Sequence, residues 1–315
     1  MTTLRLPENI EIITKEVVNT ALASQRLSRD TITEIIIPES VTEIGEGAFR
    51  YYMRLSSLVI PENVTVVGDR AFEGCISLSS IVIPKKVTEI RVFTFNECES
   101  LTTIVLHNGI TEIGQGAFHS CTSLTNIKLP DRINKIAVDT FSDCTRLSTV
   151  VLPNGITEIG ERAFLRCKSL TSLKIHENVT DISSKASWFC TSLTNIKLPD
   201  SCTTIGVIAF SGCTSLTTVT LHDGVTYIGG DAFFECESLK VLIVPEAYAS
   251  ENRMYWFDKG LYTHKTAIIS KGKLRSELDD SLKLTERKIE CNDSMLSLMY
   301  NLMKDICSAS QIKLS

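Results

Sequence analysis

The 315-residue chain is short of several things, and each shortage excludes a class of function. It has no basic excess: Lys and Arg number 32 against 37 Asp and Glu, giving a formal net charge of -5. A nucleic-acid surface needs a positive stripe that displaces counterions from phosphates, so nucleic acid is not expected as a partner. No apolar run approaches the roughly 18 residues that cross a bilayer, so membrane insertion is not expected. The opening Met1-Thr2-Thr3-Leu4-Arg5-Leu6-Pro7-Glu8 lacks the basic and then apolar blocks of a secretory leader, and the expected compartment is the cytoplasm. A phosphate-cradling glycine loop and a Gly-x-Ser-x-Gly elbow are also missing. His119 and His264 have no Asp or Cys pattern around them, and the pair Asp279-Asp280 has no partner for acid–base work. No catalytic, cofactor-binding or metal-ligating residue is nominated, and neither enzyme activity nor a cofactor is expected.

What the chain does have is cysteine and periodicity. Of 11 cysteines, Cys75, Cys98, Cys121, Cys144, Cys167, Cys190, Cys213 and Cys236 fall 23 residues apart. A series at one fixed interval reads as a repeat column rather than a disulfide framework. Phenylalanine keeps the same interval at Phe49, Phe72, Phe95, Phe118, Phe141, Phe164, Phe210 and Phe233, with Ser187 as the one gap. Leucine keeps it from Leu55 to Leu239 without a gap. A unit of this length buries too little to fold alone, but stacked units share one core. Adjacent coils then lie about 4.8 Å apart, as strands do in a sheet, and each column becomes a ladder. Cysteines along such a ladder are expected to be small buried hydrophobes, since parallel Cβ vectors disfavour a disulfide and a line of single thiols is no zinc site.

Within a unit, Leu124-x-x-Ile127-x-Leu129 reads as a short strand with Ile127 and Leu129 inward, ended by Pro130. Ile133 and Ile136 give a second extended piece. Glycine follows in most units, at Gly45, Gly68, Gly114, Gly160, Gly206 and Gly229, and is read as allowing a tight turn. The Ala-Phe pair is expected to start a short helical turn that closes on the cysteine. In the seventh unit Ser187 replaces Phe, and Trp188 or Phe189 is expected to swing in to refill the core. His107, His176 and His222 share a column that is elsewhere Pro; the nearest pair lies about 10 Å apart, too far for one metal ion, so the column reads as a turn position.

The segment Ile60-Pro61-Glu-Asn-Val64-Thr-Val-Val67-Gly68-Asp-Arg-Ala71-Phe72-Glu-Gly-Cys75-Ile-Ser77-Leu78 resembles the BspA-like leucine-rich repeat family, and the likeness runs over residues 32 to 245. The resemblance implies a curved leucine-rich-repeat solenoid, an α/β repeat of strand, turn and short helical segment, with no general catalytic residues. It implies action as an adhesin, a surface-recognition protein or an intracellular interaction module. Arg91 in place of Gly and Thr94 in place of Ala depart from the pattern.

In such a solenoid the strands line the concave face, with the second, third and fifth residues of each unit pointing out. The fifth column reads Ile36, Val59, Val82, Val105, Lys128, Val151, Lys174, Lys197, Thr220, Ile243. Val59, Val82, Val105, Lys128, Val151, Lys174, Lys197 and Thr220 are the candidate partner-binding residues. Apolar anchors at the first three with Lys128, Lys174 and Lys197 beyond suit an acidic partner segment. The same column also fits plain strand propensity, with lysines guarding an exposed sheet.

At the ends, Pro7 lies 31 residues before Pro38 rather than 23, so residues 1–31 read as a divergent capping repeat with a longer helix from Lys15 to Arg26. Residues 32–245 form the solenoid. Residues 246–315 read as an aromatic cap, Tyr255-Trp256-Phe257, with a mainly helical tail. The tail's Met295, Met299 and Met303 stripe suits either self-packing or an adaptable binding face. The expectation is a monomeric, non-catalytic protein–protein interaction module that binds a protein on its concave face. The alternative is a microbial effector or adhesin exported by a non-classical route and acting on host proteins.

Overall fold

A computed structural model describes residues 2–245 and the backbone of residues 267–270. The chain winds as a solenoid in which each coil contributes two short parallel strands. The first strands, such as Ser80–Val82, Thr103–Val105 and Asn126–Lys128, form a front ladder. The second, such as Lys135–Ile136, Glu158–Ile159 and Asp181–Ile182, form a back ladder. Partners lie one 23-residue unit apart: Ser80 with Thr103, Asn126 with Thr149, Lys135 with Glu158. The strands are two to four residues long.

The segment closing each coil is not helical. Ala117, His119 and Cys121 donate to Gly114, Gly116 and Phe118, a chain of overlapping β-turns. The alternate groups point onward: Gly116, Phe118 and Ser120 donate to Val138, Thr140 and Ser142 of the following coil at 2.8–3.0 Å. A helix keeps every N–H for its own chain, whereas here every second one holds the next layer. The geometry requires two left-handed residues per coil, Gly116 at φ 58° and Ser120 at φ 57° in this one.

The regular glycines have a different purpose from the one their spacing suggests. Gly68 and Gly114 have ordinary φ, but their N–H groups reach Ile44 O and Ile90 O at 2.7 Å. A Cβ would press on the preceding backbone, within 2.7 Å of Glu46 N for Gly68 and 2.9 Å of Arg91 C for Gly114. Close approach between coils is the constraint, not the tightness of the turn. Where Ser183 stands in that column the bond lengthens to 3.0 Å.

The core is a set of stacked columns. Phe49 to Phe164 form an unbroken offset stack with centroids 5.6–5.7 Å apart, and Phe210 stacks on Phe233 at 5.5 Å. Between them lies buried Ser187. Neither Trp188 nor Phe189 refills the column. Both stay half-buried and stack on each other, because the turn directs their side chains away from the core. Thr94 and Thr140 fit the alanine column by donating their hydroxyls back to Arg91 O and Ala137 O.

The eight regular cysteines are more than small hydrophobes. Each thiol donates to the backbone carbonyl 26 residues earlier, from Cys75 to Phe49 O at 3.2 Å through Cys236 to Phe210 O at 3.2 Å. The thiol thus links one coil to the turn of the one before it. Every described cysteine is a buried free thiol, Cys202 among them in a column otherwise Val or Ile.

At the N-terminus, α1 spans Lys15–Gln25, capped by the Thr14 hydroxyl and ended by left-handed Arg26. It stands where later coils have their train of turns, and Val18, Ala21 and Leu22 cover the end of the core. The 31-residue spacing is seen directly in Thr3 pairing with Glu34 and Ile13 with Ile44. At the other end the front ladder runs past Pro245: Ala267–Ser270 pairs in parallel with Val241–Val244, 26 residues on. The Tyr255-Trp256-Phe257 cluster, the charged segment 273–289 and the methionine stripe lie outside the described residues.

Candidate partner-binding face

The front ladder fixes which side chains point away from the core. In each three-residue strand the middle residue is inward, as Ile81, Ile104 and Ile127 are, and its neighbours are outward. The structure brings the candidates into one row by register: Val82 beside Val105, Lys128 beside Val151, Lys174 beside Lys197, Lys197 beside Thr220.

Exposure along this row is uneven. Val59, Val82 and Val105 are 81%, 68% and 69% exposed, and Val151 is 49% exposed. Lys128, Lys174 and Lys197 are exposed, and no ion pair or hydrogen bond engages them among the described residues. Thr220 is only half-buried and Ile243 is fully buried, so the open row ends near the ninth front strand.

The flanking polar columns serve their own sheet. Thr102 donates to Ser79 O at 3.1 Å, Ser148 to Thr125 O at 3.0 Å and Thr194 to Thr171 O at 3.3 Å. Asn126 and Asn195 donate to the adjacent Thr hydroxyls. Beside these polar columns, the fifth column carries the exposed apolar and cationic side chains of this face.

The histidines and cysteines that the repeat aligns have structural partners. The aligned histidines hold turns: His107 Nε2 lies 3.0 Å from Pro84 O while its Nδ1 accepts the Gly109 N–H. His222 Nδ1 does the same for Gly224. Among the described residues no group of three or more His, Cys, Asp or Glu side chains converges to hold a metal, and no helix is long and apolar enough to cross a membrane. Burial pushes the Cys75, Cys190 and Cys236 thiols up to about 12, against a small opposing pull from their backbone partners. Such thiols are poor nucleophiles.

The BspA type leucine rich repeat region matches this chain over residues 20–148 and 135–259, in six copies. The chain belongs to that family. Among solved structures it is similar to a leucine-rich repeat protein from Bacteroides ovatus, at 22% identity and TM-score 0.45 over 85% of this chain and 91% of that one. It is also similar to the T. pallidum leucine rich repeat protein, at 27% identity and TM-score 0.44 over 60% and 79%. A leucine-rich repeat protein from Eubacterium ventriosum matches at 19% identity and TM-score 0.48 over 74% and 82%. No curated protein sequence matches the chain.

Proposed function

We propose that the chain is a non-catalytic interaction module that binds a protein partner across its front face, the side that the leucine-rich-repeat architecture curves inward. The observation that carries this reading is the row of Val59, Val82 and Val105, exposed in line on three adjacent coils, with Val151 exposed two coils further on beyond Lys128. Exposed apolar side chains lined up on neighbouring coils are the kind of patch that marks a contact surface. The lysines that interleave with its far half, Lys128, Lys174 and Lys197, favour a partner segment with apolar side chains at one end and carboxylates at the other.

The test is a capture experiment from the native organism. Wild-type protein is compared with Val82→Glu and Lys174→Glu, each checked by thermal melting. Both substitutions are outward and should leave melting within about 0.5 kcal/mol of wild type. The expected result is loss of the same partner from both variants. If both retain every partner of the wild type, the front face is not the binding surface.

A further inference from the structure

The first coil lacks a neighbour that every later coil has. From the second coil on, turn carbonyls accept N–H groups from the coil before: Asp69, Ala71 and Glu73 accept from Gly47, Phe49 and Tyr51 at 2.8, 2.9 and 2.7 Å. The equivalent carbonyls of the first coil belong to Glu46, Ala48 and Arg50. The layer before them is α1, which spends its N–H groups on itself. Among the described residues no donor meets these three.

A second substitution opens the same spot. Where later coils insert a cysteine, this coil inserts Tyr52. Its ring meets Phe49 edge-on at 6.0 Å and is 1% exposed. Its buried hydroxyl finds no acceptor among the described residues. The Arg29 guanidinium lies over the ring, 5.5 Å from its centre. Lys15 and Asn19, one turn apart on α1, complete a hollow of about 230 Å³ with Arg29, Arg50, Tyr51 and Tyr52. Arg50 is committed to Glu73 at 2.8 Å. Lys15 and Arg29 form no ion pair among the described residues, and no carboxylate lines the hollow.

We propose that this hollow binds a phosphate group, held between Lys15 and Arg29 with the Tyr52 hydroxyl donating to it from the floor. Two cations without a carboxylate partner among the described residues (Arg29 rests against Tyr52) and a buried O–H with no acceptor share one need, an anionic acceptor. The donors come from three elements, α1, the Arg29–Thr31 turn and the first coil, so they approach from three directions. A phosphate offers enough oxygens to accept from all three, and its charge suits the two cations. Ala48, whose carbonyl receives no N–H among the described residues, also lines the hollow and can accept an O–H or N–H group from whatever bears the phosphate. The site lies off the front face, and the proposal does not depend on partner binding there.

The experiment is calorimetric titration of the full chain with inorganic phosphate and, separately, glycerol phosphate, at constant ionic strength and against a chloride control. The expected result is saturable binding that weakens at least tenfold in Lys15→Gln and in Arg29→Gln, both exposed positions. Tyr52→Phe keeps the ring against Phe49 and should weaken binding several-fold with melting unchanged or raised. Tighter binding of glycerol phosphate points to an esterified ligand, and equal binding to phosphate itself. A phosphate response no larger than chloride, or wild-type affinity in all three variants, overturns the proposal.

Discussion

The Phe93 ring lies flat against Gly116 of the next coil, so that a Cβ on Gly116 would overlap it. Both residues are left-handed, at φ 53° and 58°. The pairing recurs where Tyr51 covers Gly74 and Phe189 covers Gly212. At these three places an aromatic ring at a left-handed turn position lies over the following coil, where glycine leaves room for it. Gly116→Ala should therefore meet two penalties, backbone strain of about 1–2 kcal/mol and the overlap with the ring. In a Phe93→Ala background only the first should remain. Denaturant unfolding of the two single variants and the double variant reads the coupling, and additive effects would rule out the ring–glycine relationship as its cause.

The buried thiol column predicts an alkaline limit to stability. An ordinary thiol titrates near 9.0, and burial raises Cys75, Cys190 and Cys236 to about 12 and Cys202 to about 11. Cys98, Cys121, Cys144, Cys167 and Cys213 are raised too. Above pH 9 the unfolded chain releases these protons while the folded chain keeps them. Stability is thus fully present below pH 9 and falls as pH rises towards 12, by up to about 1.4 kcal/mol per pH unit for each thiol. Urea midpoints at pH 8, 9 and 10 should fall progressively. Replacing Cys121 and Cys144 by Ala should make that decline shallower. The native thiols of the column should also resist a thiol-modifying disulfide reagent that labels them all in denaturant.

The phenylalanine stack predicts opposite effects at two of its positions. Phe118 lies between Phe95 and Phe141, so Phe118→Ala should cost about 3–5 kcal/mol through the cavity it leaves. At Ser187 the coils have not closed up to compensate, since Phe164 N to Ala186 O and Ser187 N to Ala209 O are both 2.8 Å, as elsewhere. Ser187→Phe should then raise stability, by about 1–3 kcal/mol from ring burial and removal of a buried hydroxyl with no hydrogen-bond partner. A lower melting temperature for Ser187→Phe would mean that other atoms already fill that space.

The column structure was readable in the sequence because one side chain serves one layer at one interval, and Phe, Cys and Leu could be assigned to the core by counting. The turn train was not. Gly-x-x-Ala-Phe-x-x-Cys spacing suits a helix equally well, and what decides is that Gly116, Phe118 and Ser120 bond forward to the next coil, a tertiary fact. The outward placement of Val59 to Lys197 followed from alternation alone. The burial of Ile243 did not, because it depends on what surrounds the last coils rather than on its own strand. The cationic hollow assembles from three separate elements, and its one sequence signal was Tyr52 standing in a cysteine column.

The histidine column tests whether the turn after the front strand is held by restraint of the chain or by hydrogen bonds. Pro84 and Pro130 occupy the place of His107 in neighbouring coils, so proline's φ is compatible there. No backbone partner receives the His107 N–H among the described residues, so proline removes no bond of the main chain. His107→Pro loses the contacts to Pro84 O and Gly109 N but gains by restricting the unfolded chain, about 0.4–1 kcal/mol. His107→Ala loses the same contacts and gains nothing. The expected order of stability is therefore Pro above Ala, with Pro within about 1 kcal/mol of wild type, read from urea unfolding at neutral pH. An alanine variant as stable as the proline variant would show that the column needs neither ring, and that the turn is fixed by the coils on either side.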